Sequence, residues 1–204
     1  MPKAAALYPV FLKLDGLRVV LVGGGPIAAG KLDGLLAAGA RVTVVAPAIT
    51  NAIRALADPR VTLVSRAFTP ADLDGARWVV AAAPPEVNQQ VSAAATARGL
   101  FVNAVDDTSA ATAYLGGVIR RGEVEIAIST GGTAPALAGL LREALDAVLP
   151  AELERWVEVA KRARLDWKRS GVPITKRRSL LLRALIQLYR ADVQPLLAND
   201  RGVA

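Results

Sequence analysis

Residues 18–31 read RVVLVGGGPIAAGK. The run 18–22 is short, apolar and β-branched, the pattern of a buried strand. Three glycines and a proline follow, and then IAAGKLDGLLAAGA, with Ile27, Leu32, Leu35 and Leu36 near helical spacing. Gly23-Gly24-Gly25-Pro26-Ile27-Ala28 fits G-x-G-x-x-A between a strand and a helix. In that pattern Gly23 permits the tight turn, Gly25 lets the backbone approach a pyrophosphate, and Ala28 allows helix to pack closely on strand. The helix N-terminus then offers free N–H groups and a favourable dipole to an anion. RVTVVAP at 41–47 completes a strand–turn–helix–strand unit of about 30 residues, the size of a βαβ crossover. The reading is a dinucleotide-binding turn that uses Gly23, Gly24, Gly25, Pro26 and Ile27.

The same rhythm continues outward. VTLV at 61–64, WVVAAA at 78–83 and LFVNAV at 100–105 are strand-like, and 87–99 reads as a helix ending in Gly99. Strands alternating with helices predict a Rossmann-type parallel sheet covered on both faces. The second strand ends Val45-Ala46-Pro47 without the carboxylate that commonly holds an adenosine ribose. Either backbone groups near Pro47 and Ala48 hold the ribose, or a 2′-phosphate is accepted. No Arg follows Val45 closely, which favours NAD.

After Asp107 the pattern changes. Residues 114–119 and 123–129 read as two strands around a turn at 120–122. Thr133 is placed to cap the next helix, with Pro135 in its first turn and a stripe of Leu137, Leu140, Leu141, Ala144, Leu145 and Val148. Residues 151–169 and about 176–191 read as basic amphipathic helices, and the last ten residues as a frayed tail.

Two further segments carry candidate chemistry. Asn103-Ala104-Val105-Asp106-Asp107 lies at the carboxyl end of a strand, the edge that faces the ligand crevice in open α/β sheets. Asp106 is a candidate base there, and equally a loop-capping Asp. Were its carboxylate to converge with that of Asp107, like charge would raise its pKa. Ser129-Thr130-Gly131-Gly132-Thr133 is a small-residue loop able to approach an anion or flat ligand, or simply to cap a helix.

Composition limits the alternatives. The chain has 204 residues, 53% hydrophobic and 21% charged, enough for a sizeable core. It contains neither Cys nor His, so disulfides, thiol chemistry and the usual metal ligands and general base are excluded. No resident metal site is expected. No stretch reads as a membrane-spanning helix or signal peptide, so a cytoplasmic protein is expected. The net charge is +7, and residues 151–204, with 12 Lys/Arg and 6 Asp/Glu, carry +6 of it. That suggests an anionic partner, or only a solvated helical surface.

Taken together, YPVFLKLDGLRVVLVGGGPIAAGK, VTVVAP, VNQQV, NAVDD and STGGTAPALAGLLRE resemble the precorrin-2 dehydrogenase family, the first half of siroheme synthase. The resemblance runs from residue 8 to about 190. It implies a Rossmann domain over 1–112, a small α+β dimerisation segment over 113–149, and a C-terminal helical region over 150–204. It implies NAD-dependent oxidation of precorrin-2 to sirohydrochlorin by a homodimer, in some members followed by insertion of Fe²⁺ by a chelatase activity. It matches Gly23, Gly25, Pro26 and Ile27 to the cofactor turn and Pro47 and Ala48 to the second cofactor contact, and Ala82 is expected beside the cofactor without matching the family's residue there. Asp106 matches the essential acid. Asn103 and the loop Ser129, Thr130, Gly131 and Gly132 fall on the tetrapyrrole side. Ala82-Ala83-Pro84 departs from the family's Thr-Asp or Thr-Asn, and Gly30 replaces an Arg before Lys31.

Two rival readings are weighed. Another NAD-binding oxidoreductase would use a Tyr–Lys pair, yet Tyr8, Tyr114 and Tyr189 each lack Lys four residues on. A redox-sensing, DNA-binding regulator would use the basic tail, yet the SGVPITKRR connection is not a compact helix-turn-helix turn. No nucleic-acid or membrane partner is therefore expected.

Overall fold

The computed structural model describes residues 6–199. The described residues divide into two compact units, 6–116 with 129–137, and 117–128 with 138–199. This grouping cuts across the three-part division at 112 and 149.

The first unit is built on five parallel strands in the order β3-β2-β1-β4-β5: β1 (Arg18–Val22), β2 (Arg41–Val45), β3 (Val61–Val64), β4 (Trp78–Ala81) and β5 (Val102–Ala104). Their β-branched residues fill both faces. Val19, Leu21, Val42, Val44 and Val80 pack with Ala28, Leu32 and Leu35 of α1 (Pro26–Ala37). Val20, Val22, Val79, Ala81 and Val102 pack with Val91, Ala94 and Ala95 of α3 (Pro85–Thr96). Each fully buried Val or Leu contributes about 1.5–3 kcal/mol, so the sheet is the stable floor of this unit. The pairings Val22↔Val45, Val22↔Ala81 and Ala81↔Ala104 bring four strands to a common level at their carboxyl ends. Strand order reverses at β1, so the loops after β1 and β4 diverge and leave a crevice there.

Two short elements lie outside the expectation: α2 (Asn51–Arg54) and a 3₁₀ turn at Pro70–Leu73. Asp72 of that turn is buried and anchors it. Its carboxylate accepts bonds from Arg66 (2.5 and 2.8 Å) and from the Thr69 backbone N–H (2.8 Å). The outer edge of β5 is covered by its own chain. The Val102 N–H donates to Thr112 Oγ1 (2.8 Å), and the Val102 carbonyl accepts from Thr112 and Ala113 (2.9 and 3.0 Å).

In the second unit β6 (Gly117–Arg121) and β7 (Val124–Ile128) form an antiparallel hairpin. Its turn is Gly122-Glu123, two residues later than RRG suggested; Gly122 takes the positive φ of +55° that the turn requires, and both arginines extend the strand. α4 (Pro135–Val148) begins in the first unit and continues in the second. Arg121 ties the hairpin to α4 through Asp146 (2.6 Å). α5 (Leu153–Arg169) ends at Gly171, with Ser170 and Val172 N–H groups donating back to Asp166 and Trp167. α6 (Ile174–Asn199) then runs unbroken to Asn199, so residues 195–199 are helical, not frayed; residues 200–204 lie outside the described ones.

Candidate active site

The carboxyl ends of the strands open onto a cleft of about 710 Å³ in the first unit. Gly23–Ile27, Pro47, Ala48, Ala82 and Asp106 all line it, so the glycine turn, the end of β2, the end of β4 and the candidate acid meet in one place.

The glycine turn is packed flat between its neighbours. Gly23 has φ +133°, and a Cβ there would lie 2.1 Å from the Ala82 carbonyl oxygen. A Cβ on Gly24 would lie 2.1 Å from the Ala48 carbonyl oxygen. Gly25 differs, because its missing Cβ faces open space. Gly25 is also the N-cap of α1, with no side-chain cap bond and no acidic residue in the first turn. The helix thus presents uncapped N–H donors beside a bare stretch of backbone. That arrangement fits the pyrophosphate of a dinucleotide.

Asp106 is exposed at the cleft and has φ +58°, one of two non-glycine residues with positive φ among the described residues. Asp tolerates this region better than most residues, but holding it there still requires support from the surroundings. Asp107 is bonded within its own turn. Its Oδ1 accepts from the Ser109 hydroxyl (2.6 Å) and from the Ser109 and Ala110 N–H groups (both 3.0 Å). These bonds hold its carboxyl below the usual range, the Ser109 hydroxyl foremost. Through these bonds it shapes its own turn.

Asn103 and residues 129–132 do not line the cleft. Asn103 is buried in β5 and donates through Nδ2 to the Ala113 carbonyl (3.1 Å). The 129–133 loop is internally bonded: the Gly131 N–H donates to Ser129 Oγ (3.1 Å), and the Thr133 hydroxyl to the Thr130 carbonyl (2.6 Å). α4 begins at Pro135, so the residue directly before it is Ala134 and not Thr133. The loop does approach the acid's turn, since a Cβ on Gly132 would lie 2.6 Å from Thr108 Cγ2. Sequence reasoning missed Phe68, Asn88 and Gln90, which also line the cleft. Asn88 stands in the VNQQV segment, but only its partners reveal what it does.

The arginines that follow β2 and β3 are already engaged. Arg54 donates to the Ile49 carbonyl (3.2 Å) and Ser65 Oγ (3.3 Å), and Arg66 is held by Asp72. Among the described residues no group of three or more Asp, Glu, His or Cys is placed to hold a metal ion, and no helix is long and apolar enough to cross a membrane.

A five-stranded parallel sheet with a glycine turn at its switch point defines a dinucleotide-binding protein. Residues 10–117 match a family described as "Putative NAD(P)-binding", and residues 121–147 match "Sirohaem biosynthesis protein central". The chain belongs to this NAD(P)-binding family. Siroheme synthase 2 of Aeromonas hydrophila subsp. hydrophila is 44% identical over 177 residues, covering 86% of this chain and 37% of that protein. Siroheme synthase of Gluconacetobacter diazotrophicus is 44% identical over 153 residues, covering 72% and 33%. The chain thus spans about a third of the length of these relatives. A solved structure described as SirC, precorrin-2 dehydrogenase, superposes with TM-score 0.67 at 26% identity, covering 87% of this chain and 88% of that one.

Proposed function

We propose that this protein is an NAD-dependent precorrin-2 dehydrogenase that forms sirohydrochlorin, working as a homodimer in the cytoplasm. The observation that carries the reading is that the glycine turn and Asp106 line one cleft. The likeness to a precorrin-2 dehydrogenase over most of both chains supplies the substrate class.

Bound NAD⁺ would supply the two-electron acceptor for the loss of two hydrogens from the macrocycle. Gly23–Ile27 would hold its pyrophosphate, and backbone at Pro47 and Ala48 its ribose. Engagement of Arg54 and Arg66 elsewhere favours NAD over its 2′-phosphorylated form. Asp106 would accept the proton that leaves the macrocycle, the usual work of a carboxylate general base. The 129–132 loop would act on the tetrapyrrole side, beside Thr108, and Asn103 would support that side from within β5 through its bond to the Ala113 carbonyl.

The test is anaerobic incubation with precorrin-2 and NAD⁺, with NADP⁺ in parallel. Sirohydrochlorin and NADH should appear in equal amounts. NAD⁺ binding without turnover would overturn the substrate assignment. Asp106→Asn should lower kcat by about 10²–10⁴-fold while the Kd for NAD⁺ stays within about threefold. Adding Fe²⁺ in a second stage tests for the chelatase activity.

A further inference from the structure

We propose that Asn88 is a positioning residue for Asp106, acting through a rung of the β-sheet that its carboxamide has replaced. The inference rests on the reading of Asp106 as the proton acceptor.

In a parallel ladder, one residue bonds through both its N–H and its carbonyl to two residues of the neighbouring strand that flank its partner. Val105, just beyond β5, makes the first of these bonds: its N–H donates to the Ala81 carbonyl (2.9 Å). The second would run from the Ala83 N–H to the Val105 carbonyl. Instead, the Ala83 N–H donates to Asn88 Oδ1 (3.0 Å), and Asn88 Nδ2 donates to the Val105 carbonyl (3.3 Å). Asn88 lies in the first turn of α3 and is 2% exposed. Its partners fix the orientation of the amide, because an N–H needs the oxygen and a carbonyl needs the nitrogen.

Inserting an amide into the ladder has two effects. It parts the chains after β4 and β5 where the cleft needs its wall, between Ala83 and Val105. It also pins the Val105 carbonyl, which belongs to the peptide leading into Asp106. That peptide's orientation sets the direction of the Asp106 Cα–Cβ bond at φ +58°. On the other side the Asp107 turn holds the chain. Asp106 is therefore clamped from both neighbours, and Asn88 is the half of the clamp supplied by another element. A carboxamide is well suited, since one short side chain must accept at one end and donate at the other.

The experiment is a double-mutant cycle on the full chain, with precorrin-2 and NAD⁺ as substrates. Asn88→Ala should lower kcat about 10–100-fold, as expected for a displacement near 1 Å, with KM for NAD⁺ within about threefold. In the Asp106→Asn background the same change should cost less than about threefold more. Asn88→Ser, which leaves a smaller gap and keeps a hydroxyl, should fall between wild type and Asn88→Ala, and serves if Ala prevents folding. Bound NAD⁺ reports that each variant is folded. A folded Asn88 variant with wild-type kcat, or losses that multiply in the double variant, would overturn the proposal while leaving Asp106 as the base. Normal turnover by Asp106→Asn alone would remove the base reading, and the proposal with it.

Discussion

Gly23, Gly24 and Gly25 are adjacent but have unequal reasons to be glycine. The first two are held by backbone oxygens at 2.1 Å from where a Cβ would sit, so a side chain there must move the Ala82 or Ala48 loop. Gly25 faces open space, so nothing in the protein itself requires it to be bare. Gly24→Ala should therefore lower stability by about 2–4 kcal/mol in a denaturant titration. Gly25→Ala should change stability by less than about 1 kcal/mol yet weaken NAD⁺ binding about tenfold or more, read by calorimetric titration. Equal effects of the two substitutions on stability would contradict this division. The same scale holds the Asp106–Asn88–Val105 chain, where one amide decides the direction of one carboxylate.

At the scale of elements, the 3₁₀ turn shows how a single carboxylate fixes a segment too short to fold alone. The Arg66 guanidinium beside Asp72, aided by the Thr69 N–H and hydroxyl, lowers its pKa from 3.8 to about 2. A folded-state pKa below the unfolded one means the stabilisation is present above about pH 4 and fades as pH falls toward 2. Because the Arg66 side chain is half exposed, solvent screening keeps the stabilisation well below what the shift alone would imply. Asp72→Asn should therefore flatten the acid limb of the stability profile between pH 4 and 2, with a modest loss at pH 7, measured by urea midpoints. This element was not legible in the sequence, and neither was α2. Each spans four residues, too few to display a period. The strands were legible because buried parallel strands demand uninterrupted Val and Leu, and the glycine turn because its spacing follows from geometry. The hairpin turn was read two residues early, since charged Arg120 and Arg121 look like loop but lie on a half-exposed strand. Within the site, Asp106 was legible from its place after a strand. Asn88 was not, because a rung borrowed by a side chain leaves no periodicity.

At the scale of the molecule, charge and apolar surface point to partners. The excess of six positive charges in residues 151–204 should draw a polycarboxylate tetrapyrrole. Raising ionic strength from about 50 to 300 mM shortens the Debye length roughly 2.4-fold. KM for precorrin-2 should then rise severalfold, and KM for NAD⁺ much less; parallel salt responses would argue against that role. α4 leaves Leu140 at 64% and Val148 at 75% exposure, with Leu141 and Leu145 beside them. If the proposed homodimer buries this stripe, Leu140→Asp with Leu145→Asp should yield monomers by sedimentation equilibrium at micromolar concentration, and an unaltered dimer would place the interface elsewhere. The cover that Thr112 and Ala113 lay over β5 has a bearing of its own. An open sheet has two sides on which a stray chain can seed itself, and this one closes one of them from within, using a hydroxyl and two amides of the segment that follows Asp106. The segment that follows the proposed proton acceptor is thus also a guard against aggregation, and substitutions that loosen it should cost solubility as well as turnover.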